Sequence, residues 1–120
     1  MVWTPGNHDL WCPRDVPPPT RAEARRDGHD AICSQRARRT PEDPYVVWPP
    51  EPSVVVVPMF LLFDYSFRPP EVAEQDAVAW ARASGVVSTD EQMLDPSPWP
   101  TRTAWCHARC ETTEARLDAL

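Results

Sequence analysis

The sequence predicts an α/β fold in which short strands alternate with helices. A β-forming run opens the chain and ends in a polar turn, a capped helical segment follows it, and valine-rich runs precede two further helical segments. The 16 prolines interrupt this pattern, with clusters at residues 17–19 and 41–58. Because proline breaks helices and removes a ladder hydrogen bond from strands, few uninterrupted elements remain to bury a core. We therefore expect a small α/β structure of marginal stability.

The first predicted strand covers Val2, Trp3 and Thr4, and a Pro-Gly pair ends it. Ligands of open α/β sheets collect at the carboxyl ends of strands. A glycine at this point, Gly6, leaves room for the backbone to approach a ligand closely. The strand end is therefore the first place to look for chemistry.

Three residues with complementary chemistry follow Gly6. Asn7 offers a carboxamide oxygen, a hard donor suited to Mg, Mn, Fe or Zn. His8 can give or take a proton near neutral pH. Asp9 can accept the second imidazole N–H and raise the basicity of His8. The sequence thus predicts a metal ligand at Asn7, an acid at His8 and an orienting carboxylate at Asp9.

A helix is predicted next, because Thr20 and Glu23 form a T-x-x-E capping box. It should run to about Arg39 and lie on the outside, since its apolar face is thin. His29 on this helix is expected to be a surface residue rather than a ligand. The face consists of Ala24, Ala31, Ile32 and Cys33.

Two further segments are predicted to be buried sheet strands: Tyr45–Trp48, and the run from Ser53 to Phe67, which Pro58 divides into strands at Val54–Val57 and Met59–Phe63. For the aromatic run Phe60–Phe67 two interpretations remain open. It can pack in the core, or it can form a substrate-facing rim, because Asp64, Tyr65 and Ser66 stand at its end.

Two helices complete the prediction. The first covers Glu71–Ser84, with Gly85 as its left-handed stop. The second follows a proline-rich loop at residues 95–100, is capped by Thr101 and runs to the C-terminus. The residues expected to face inward are Val72, Ala79 and Trp80 in the first helix, and Trp105, Ala108, Leu117 and Leu120 in the second.

The run Gly6-Asn7-His8-Asp9 resembles the Asn-His motif G-N-H-[DE] of the calcineurin-like metallophosphoesterases. The resemblance implies a four-layer α/β sandwich, a pair of divalent metal ions (Mn, Fe, Zn or Mg) and a phosphate-ester substrate. It also implies that Asn7 ligates one metal, that His8 protonates the leaving oxygen or stabilises the phosphoryl transition state, and that Asp9 orients His8. A D-Y-S-F-like segment, found at Asp64–Phe67, follows a similar strand in some bacterial members.

The family motif has five blocks, D-x-H, G-D-x-x-D, G-N-H-[DE], a lone His and G-H-x-H, and only the third is present. Met1 alone precedes the strand, and no H-x-H occurs before Leu120. We therefore expect residues 1–120 to be a partial domain, an internal fragment of the sandwich. Because each ion needs several fixed ligands, we expect the isolated chain neither to bind two metals tightly nor to hydrolyse phosphate esters.

Four cysteines could complete a tetrahedral zinc site, but their spacing does not favour one. There is no C-x-x-C pair, and Cys106 and Cys110 lie four apart in a predicted helix. We expect reduced, semi-buried thiols rather than a zinc site or a disulfide.

The net charge of −6 argues against a nucleic-acid surface, although all 12 basic residues are arginines. Six of them concentrate in one segment that either forms a solvated helix face or meets an acidic or phosphate-bearing partner. No secretory signal opens the chain, and the longest apolar run is too short for a membrane span, so we expect a soluble, cytoplasmic protein. The six arginines are Arg21, Arg25, Arg26, Arg36, Arg38 and Arg39.

Two functional hypotheses follow. The favoured one is a metal-dependent phosphoesterase, acting on monoesters or diesters, of which this chain carries one motif block. The alternative is a non-catalytic remnant or an interaction protein that binds a partner through its Pro-rich and Arg-rich segments.

Overall fold

The computed structural model describes residues 1–12, 22–36 and 38–120. Its four α-helices are α1 (Ala22–Gln35), α2 (Ala77–Ala83), α3 (Asp90–Met93) and α4 (Arg102–Asp118), and 3₁₀ helices cover Asn7–Leu10 and Glu74–Asp76. Two short strands, β1 (Val46–Val47) and β2 (Val55–Val56), form the two-stranded sheet of the described ranges. The result is a small α/β structure, as predicted.

The sheet is an antiparallel hairpin with Val46 opposite Val56 and Val47 opposite Val55. Its connection is closed by the Trp48 N–H, which donates to the Val54 carbonyl at 2.7 Å. The predicted strands at Tyr45–Trp48 and Val54–Val57 are therefore present but short. Their predicted burial is wrong, because Val47 is 51% exposed.

The third predicted inner strand, Met59–Phe63, is not a strand in the described structure. A strand exists only where its backbone groups pair with a neighbour. Here the Met59 carbonyl accepts from the Thr4 hydroxyl at 2.7 Å, a side-chain contact rather than a ladder. Likewise, the predicted first strand is reduced to a single parallel bridge between Val2 and Arg39.

The core cluster consists of Leu10, Phe60, Leu94 and Trp105, each at most 4% exposed. Trp105 is central to it, with its ring 6.1 Å from that of Phe60 and stacked 6.0 Å from that of Trp99. The cluster brings together the 3₁₀ helix at Asn7–Leu10, the extended run after Pro58, the end of α3 and the first turns of α4. Phe60 thus confirms core packing for the start of the aromatic run.

α4 begins as predicted, because the Thr101 hydroxyl accepts a hydrogen bond from the Ala104 N–H at 3.0 Å. Trp105 is fully buried, but Leu117 and Leu120 are 39% and 69% exposed, so their predicted inward position is wrong. The second half of the helix extends past the core cluster, where Arg116 lies over the Tyr45 ring, 4.5 Å from its centroid.

The helix predicted at Glu71–Ser84 is confirmed only in its second half, as α2, preceded by the 3₁₀ turn at Glu74–Asp76. Val72 and Ala77 are buried, whereas Ala79 and Trp80 are exposed, so the inward face was assigned wrongly at these two positions. The change from 3₁₀ to α geometry rotates the helix face. Gly85 adopts φ 79°, the left-handed stop that was predicted.

α1 ends at Gln35 rather than near Arg39. Residues 38–40 turn back so that Arg39 exchanges backbone hydrogen bonds with Met1 and Trp3, at 2.9 and 2.7 Å. Thr20 of the predicted capping box lies outside the described residues, as do the side chains of Glu23 and His29.

The molecule is expanded for its length. Its radius of gyration is 16.7 Å, against about 14 Å for a compact domain of this size. Many large apolar side chains are accordingly exposed, among them Phe67 at 78% and Val86 at 62%.

Candidate functional site

The Gly6-Asn7-His8-Asp9 segment lies where the extended N-terminal run ends, as predicted. Pro5 is buried, and Gly6 caps the 3₁₀ helix Asn7–Leu10 with φ −88° and ψ 166°. A Cβ at Gly6 would meet only Asp9 Oδ2, at 3.7 Å. The described fold therefore has room for a side chain at position 6. That glycine stands here to let a ligand approach the backbone closely stays a prediction.

Asp9 fixes this turn. Its Oδ2 accepts a hydrogen bond from the Gly6 backbone N–H at 2.8 Å, which closes a capping box on the 3₁₀ helix. Capping satisfies a backbone donor that the helix start would otherwise leave free. Within the described ranges the carboxylate makes no hydrogen bond to His8, so the orienting role of Asp9 stays a prediction.

Asn7 is held by a carboxylate from the far end of the chain. Its Nδ2 lies 2.8 Å from both oxygens of Asp90, which is only 7% exposed. A carboxylate offers acceptors alone, so the amide nitrogen must face it. The Oδ1 of Asn7 accepts no hydrogen bond within the described ranges and is the free acceptor of the side chain.

Trp11 connects the other members of the site. Its Nε1 donates to Asp90 Oδ1 at 2.6 Å, and its ring packs against that of His8 with centroids 3.8 Å apart. His8 itself is exposed. We name Asn7, His8, Trp11 and Asp90 the site network, since each is joined to another by a hydrogen bond or ring contact.

The site network stands beside a cleft of about 530 Å³. One wall is the turn itself, and the other is the extended run that begins at Met59, with Asp90 also contributing to the lining. We call this the site cleft. Its walls are residues 4–7 and 59–63.

Sequence reasoning missed Trp11 and Asp90. Trp11 lies two residues after the motif, so its proximity could have been a signal. Asp90 lies 83 residues from Asn7 and stands in an ordinary helix-start pattern, S-T-D-E, so nothing local marks it.

A second, apolar cleft of about 430 Å³ is lined in part by Ser88 and by Glu91 of α3. Phe63 and Tyr65 line it, together with Trp80 of α2. The aromatic run is therefore divided: Phe60 packs in the core, and later members line this cleft. That the later members face a substrate stays a prediction. We call this the apolar cleft.

Charged and hydrogen-bonded groups lie where α3 borders the apolar cleft. Glu91, next to Asp90, accepts from the Tyr65 hydroxyl and pairs with Arg102, whose Nε lies 2.9 Å from its Oε1. Burial lowers the pKa of the Arg102 guanidinium, and the Asp90 charge acts in the opposite direction. The Tyr65 backbone adopts φ 64°, a left-handed conformation that residues other than glycine rarely take.

Asp64 and His107 form an exposed pair, with His107 Nε2 3.2 Å from Asp64 Oδ2. Hydrogen bonds from Ser66 are the main cause that lowers the pKa of Asp64 to about 2, and the bond to His107 adds to them. His107 thus has a partner of its own, away from the site network.

Within the described residues, Cys12, Cys33, Cys106 and Cys110 form no disulfide with one another, and all four are buried or half-buried, as the prediction of semi-buried side chains expects. Burial, and then the neighbouring Cys110, raise the pKa of Cys106 to about 11, which makes it an unreactive thiol at neutral pH. Across residues 1–12, 22–36 and 38–120, no three His, Cys, Asp or Glu side chains converge as a metal site.

Part of the arginine-rich segment is engaged inside the molecule. The Arg26 side chain is 11% exposed and pairs with Glu42 at 3.0 Å, and Arg109 of α4 pairs with the same carboxylate at 2.7 Å. Arg26 is thus not part of a solvated face, because it links α1 to α4 through Glu42.

Among the helices of the described residues, none has the length and apolar character needed to cross a bilayer.

Comparison with known proteins finds a close similarity to a phosphodiesterase. The chain is 43% identical over 122 residues to the [acyl-carrier-protein] phosphodiesterase PptH of Mycobacterium tuberculosis, with all of this chain and 38% of that protein covered. The crystal structure of phosphopantetheinyl hydrolase (PptH) from the same organism matches with a TM-score of 0.88 and 44% identity, over 99% of this chain and 43% of that one. No protein-family model matches.

The chain thus spans well under half of the length of its relative. At this identity the two share ancestry and local fold over the whole of the present sequence. This chain is homologous, along its entire length, to a section of the acyl-carrier-protein phosphodiesterase PptH.

Proposed function

We propose that this chain is the section of a metal-dependent phosphodiesterase that supplies the Asn-His block of a calcineurin-like active site. The observation that supports it most is the homology to PptH over all 120 residues, which includes the segment Gly6-Asn7-His8-Asp9. The position of this segment beside the site cleft agrees with such a role. The complete enzyme would have the four-layer α/β sandwich and, as the sequence suggests, act in the cytoplasm.

The substrate follows from the names of the relative, an [acyl-carrier-protein] phosphodiesterase and a phosphopantetheinyl hydrolase. We propose for this chain the same class, a phosphodiester that joins a phosphopantetheine group to an acyl carrier protein. Hydrolysis adds water across the phosphorus–oxygen bond, so that one product keeps the phosphate and the other leaves as an alcohol.

The donor set of Asn7 fits a hard divalent ion. The amide nitrogen is taken by Asp90, and the free acceptor Oδ1 is the atom that Mg, Mn, Fe or Zn would bind. A pair of such ions, when bound, would activate water and neutralise charge on the phosphoryl oxygens.

His8 carries the proton transfer in this proposal. Its ring is exposed and packs against Trp11 on one side, so the side chain is accessible from solvent. An imidazolium there can give its proton to the leaving oxygen as that bond breaks. Asp9 keeps the turn that carries His8 in place through its bond to the Gly6 N–H.

The remaining ligands would come from polypeptide other than these 120 residues. One amide oxygen does not hold two ions, and no three potential ligands converge in the described part of the chain. We therefore propose that the isolated chain does not turn over phosphodiesters. The exposed apolar side chains, such as Phe67 and Val86, support a larger assembly that covers them.

A segment exchange tests this function. The section of PptH that matches this chain is replaced by residues 1–120, and release of phosphopantetheine from its acyl carrier protein is measured with Mn²⁺ present. We expect turnover by the exchanged protein and by PptH itself, and none by the isolated chain. An exchanged protein that folds and binds Mn²⁺ but releases nothing would contradict the function, and turnover by the isolated chain with two bound Mn²⁺ would contradict the need for other ligands.

A further inference from the structure

We propose that Asp90 is a positioning residue for Asn7, whose amide it holds so that Oδ1 is presented to a divalent cation. The inference rests on the proposed function, in which Asn7 is a metal ligand, and adds to it a residue that no motif marks. Asp90 is 7% exposed and lies 83 residues from Asn7 in sequence.

A carboxamide is nearly symmetric in shape. Its oxygen and nitrogen are alike in size, and a rotation of 180° about the last side-chain bond exchanges them. A side chain that must present oxygen to a cation therefore needs a neighbour that accepts from its nitrogen. Asp90 is that neighbour, with both oxygens 2.8 Å from Asn7 Nδ2.

The reverse orientation is disfavoured by electrostatics. It would turn Asn7 Oδ1 toward a carboxylate that has no hydrogen to donate, and it would turn the NH₂ group toward the cation. Since Asp90 is buried, water cannot replace the lost hydrogen bond without cost. The buried carboxylate thus selects one of two nearly isosteric states.

Asp90 is itself fixed, which a positioning residue must be. Trp11 Nε1 donates to its Oδ1 at 2.6 Å, and the Trp11 ring also packs on His8. Hydrogen bonds to carboxylates are among the stronger ones in proteins. One indole therefore couples the group that holds the metal ligand to the group that donates the proton.

The geometry can be measured in the chain as it stands, without metal. Asn7 is the one asparagine of the sequence, so its side-chain NH₂ is identified by ¹⁵N NMR against three glutamines, Gln35, Gln75 and Gln92. We expect its amide hydrogens to exchange at least tenfold more slowly than those of the glutamines, and the Trp11 indole hydrogen to shift downfield. An Asn7 amide that exchanges like the glutamines would overturn the proposal.

Function is tested in the PptH segment exchange, with the affinity for Mn²⁺ as the readout and kcat beside it. Asp90→Asn should lower the affinity 10- to 100-fold, the usual effect of losing a partner that orients a metal ligand. The matched control is Glu91→Gln, which makes the same change one residue away in a carboxylate that contacts Arg102 and Tyr65, not Asn7. Its affinity for Mn²⁺ should change less than threefold.

Exchanging the amide and the carboxylate between positions 7 and 90 distinguishes a positioning role of Asp90 from a general loss of structure. In Asn7→Asp alone, two carboxylates face each other, and we expect Mn²⁺ affinity to fall. In the double variant Asn7→Asp with Asp90→Asn, the amide at 90 donates to the carboxylate at 7, and one oxygen of residue 7 is again directed outward. We expect the double variant to recover at least tenfold of the affinity lost in Asp90→Asn, whereas no recovery would count against positioning.

The Asn7→Ala variant separates the proposed metal-ligand role of Asn7 from the positioning role of Asp90. If Asn7→Ala binds Mn²⁺ as tightly as the unmodified exchange, Asn7 is not a ligand and the proposed function fails. If Asn7→Ala weakens binding while Asp90→Asn and Glu91→Gln behave alike, the function stands and the positioning role of Asp90 is refuted.

Discussion

The core cluster and the site network share one short 3₁₀ helix but are built in opposite ways. Leu10 points into a cluster of large apolar side chains and is fully buried. Asn7, three residues earlier, is held by a single buried carboxylate. Packing against Phe60, Leu94 and Trp105 therefore fixes where the turn lies, and Asp90 fixes which atoms it presents.

The two regions should therefore respond differently to substitution. The core is maintained by many weak contacts, so removing a large side chain lowers the free energy of unfolding. The site network depends on few strong contacts, so a substitution there changes the orientation of a group as well as the stability. Variants in the core cluster should change mainly the free energy of unfolding, whereas variants in the site network should also change how a side chain is oriented.

The largest effect on stability is expected from Trp105→Ala. This side chain is 0% exposed and contacts Phe60 and Trp99. Its removal leaves a cavity, and the free energy of unfolding should fall by about 3–5 kcal/mol. Urea unfolding followed by circular dichroism measures the change. Trp80→Ala is the control, since Trp80 is 47% exposed, and a loss from it as large as that from Trp105→Ala would contradict the assigned core.

A smaller effect is expected from Asn7→Ala. The substitution takes a donor from the buried Asp90 carboxylate and leaves Trp11 as its remaining side-chain partner. An under-satisfied buried acceptor should lower the free energy of unfolding by about 1–3 kcal/mol. The same urea experiment measures it, with Gln75→Ala, an exposed amide, as the control. Equal free energies of unfolding for the Asn7→Ala variant and the unmodified chain would show that the hydrogen bonds from Asn7 to Asp90 do not contribute to stability.

The smallest effect concerns pH and lies outside both regions, at Asp64. Its pKa in the folded chain is about 2, against an ordinary value of 3.8, mainly because of Ser66. A lowered folded pKa means that the contribution to stability is present above about pH 4 and is lost as the pH falls toward 2. Thermal unfolding between these values should therefore show a shallower decline for Asp64→Asn and an intermediate one for Ser66→Ala. An unchanged decline in both variants would contradict the assigned hydrogen bonds.

Local signals in the sequence predicted local structure well. The Thr101 cap, the start of α4, the left-handed Gly85 and the turn at Gly6 each depend on residues within a few positions, and each is confirmed. Trp105 was placed in the core because it is large and stands at helical spacing from its neighbours.

Long-range contacts could not be predicted in the same way. The run Met59–Phe63 has the composition of a strand, yet pairing requires a neighbour that composition does not supply. Trp80 and Leu117 have helical spacing, but their burial depends on an opposing surface. Asp90 reaches Asn7 across 83 residues, and no periodicity encodes that contact.

The most direct test of the central claim compares two histidines in the PptH segment exchange. His8→Ala removes the proposed proton donor, whereas His107→Ala removes an exposed histidine that pairs with Asp64. We expect His8→Ala to lower kcat for phosphopantetheine release by about 100-fold or more, the usual contribution of a general acid. His107→Ala should leave kcat within about twofold of the unmodified exchange. Equal kcat values for the two variants would contradict the assignment of His8 and, with it, the catalytic role of the Gly6-Asn7-His8-Asp9 segment.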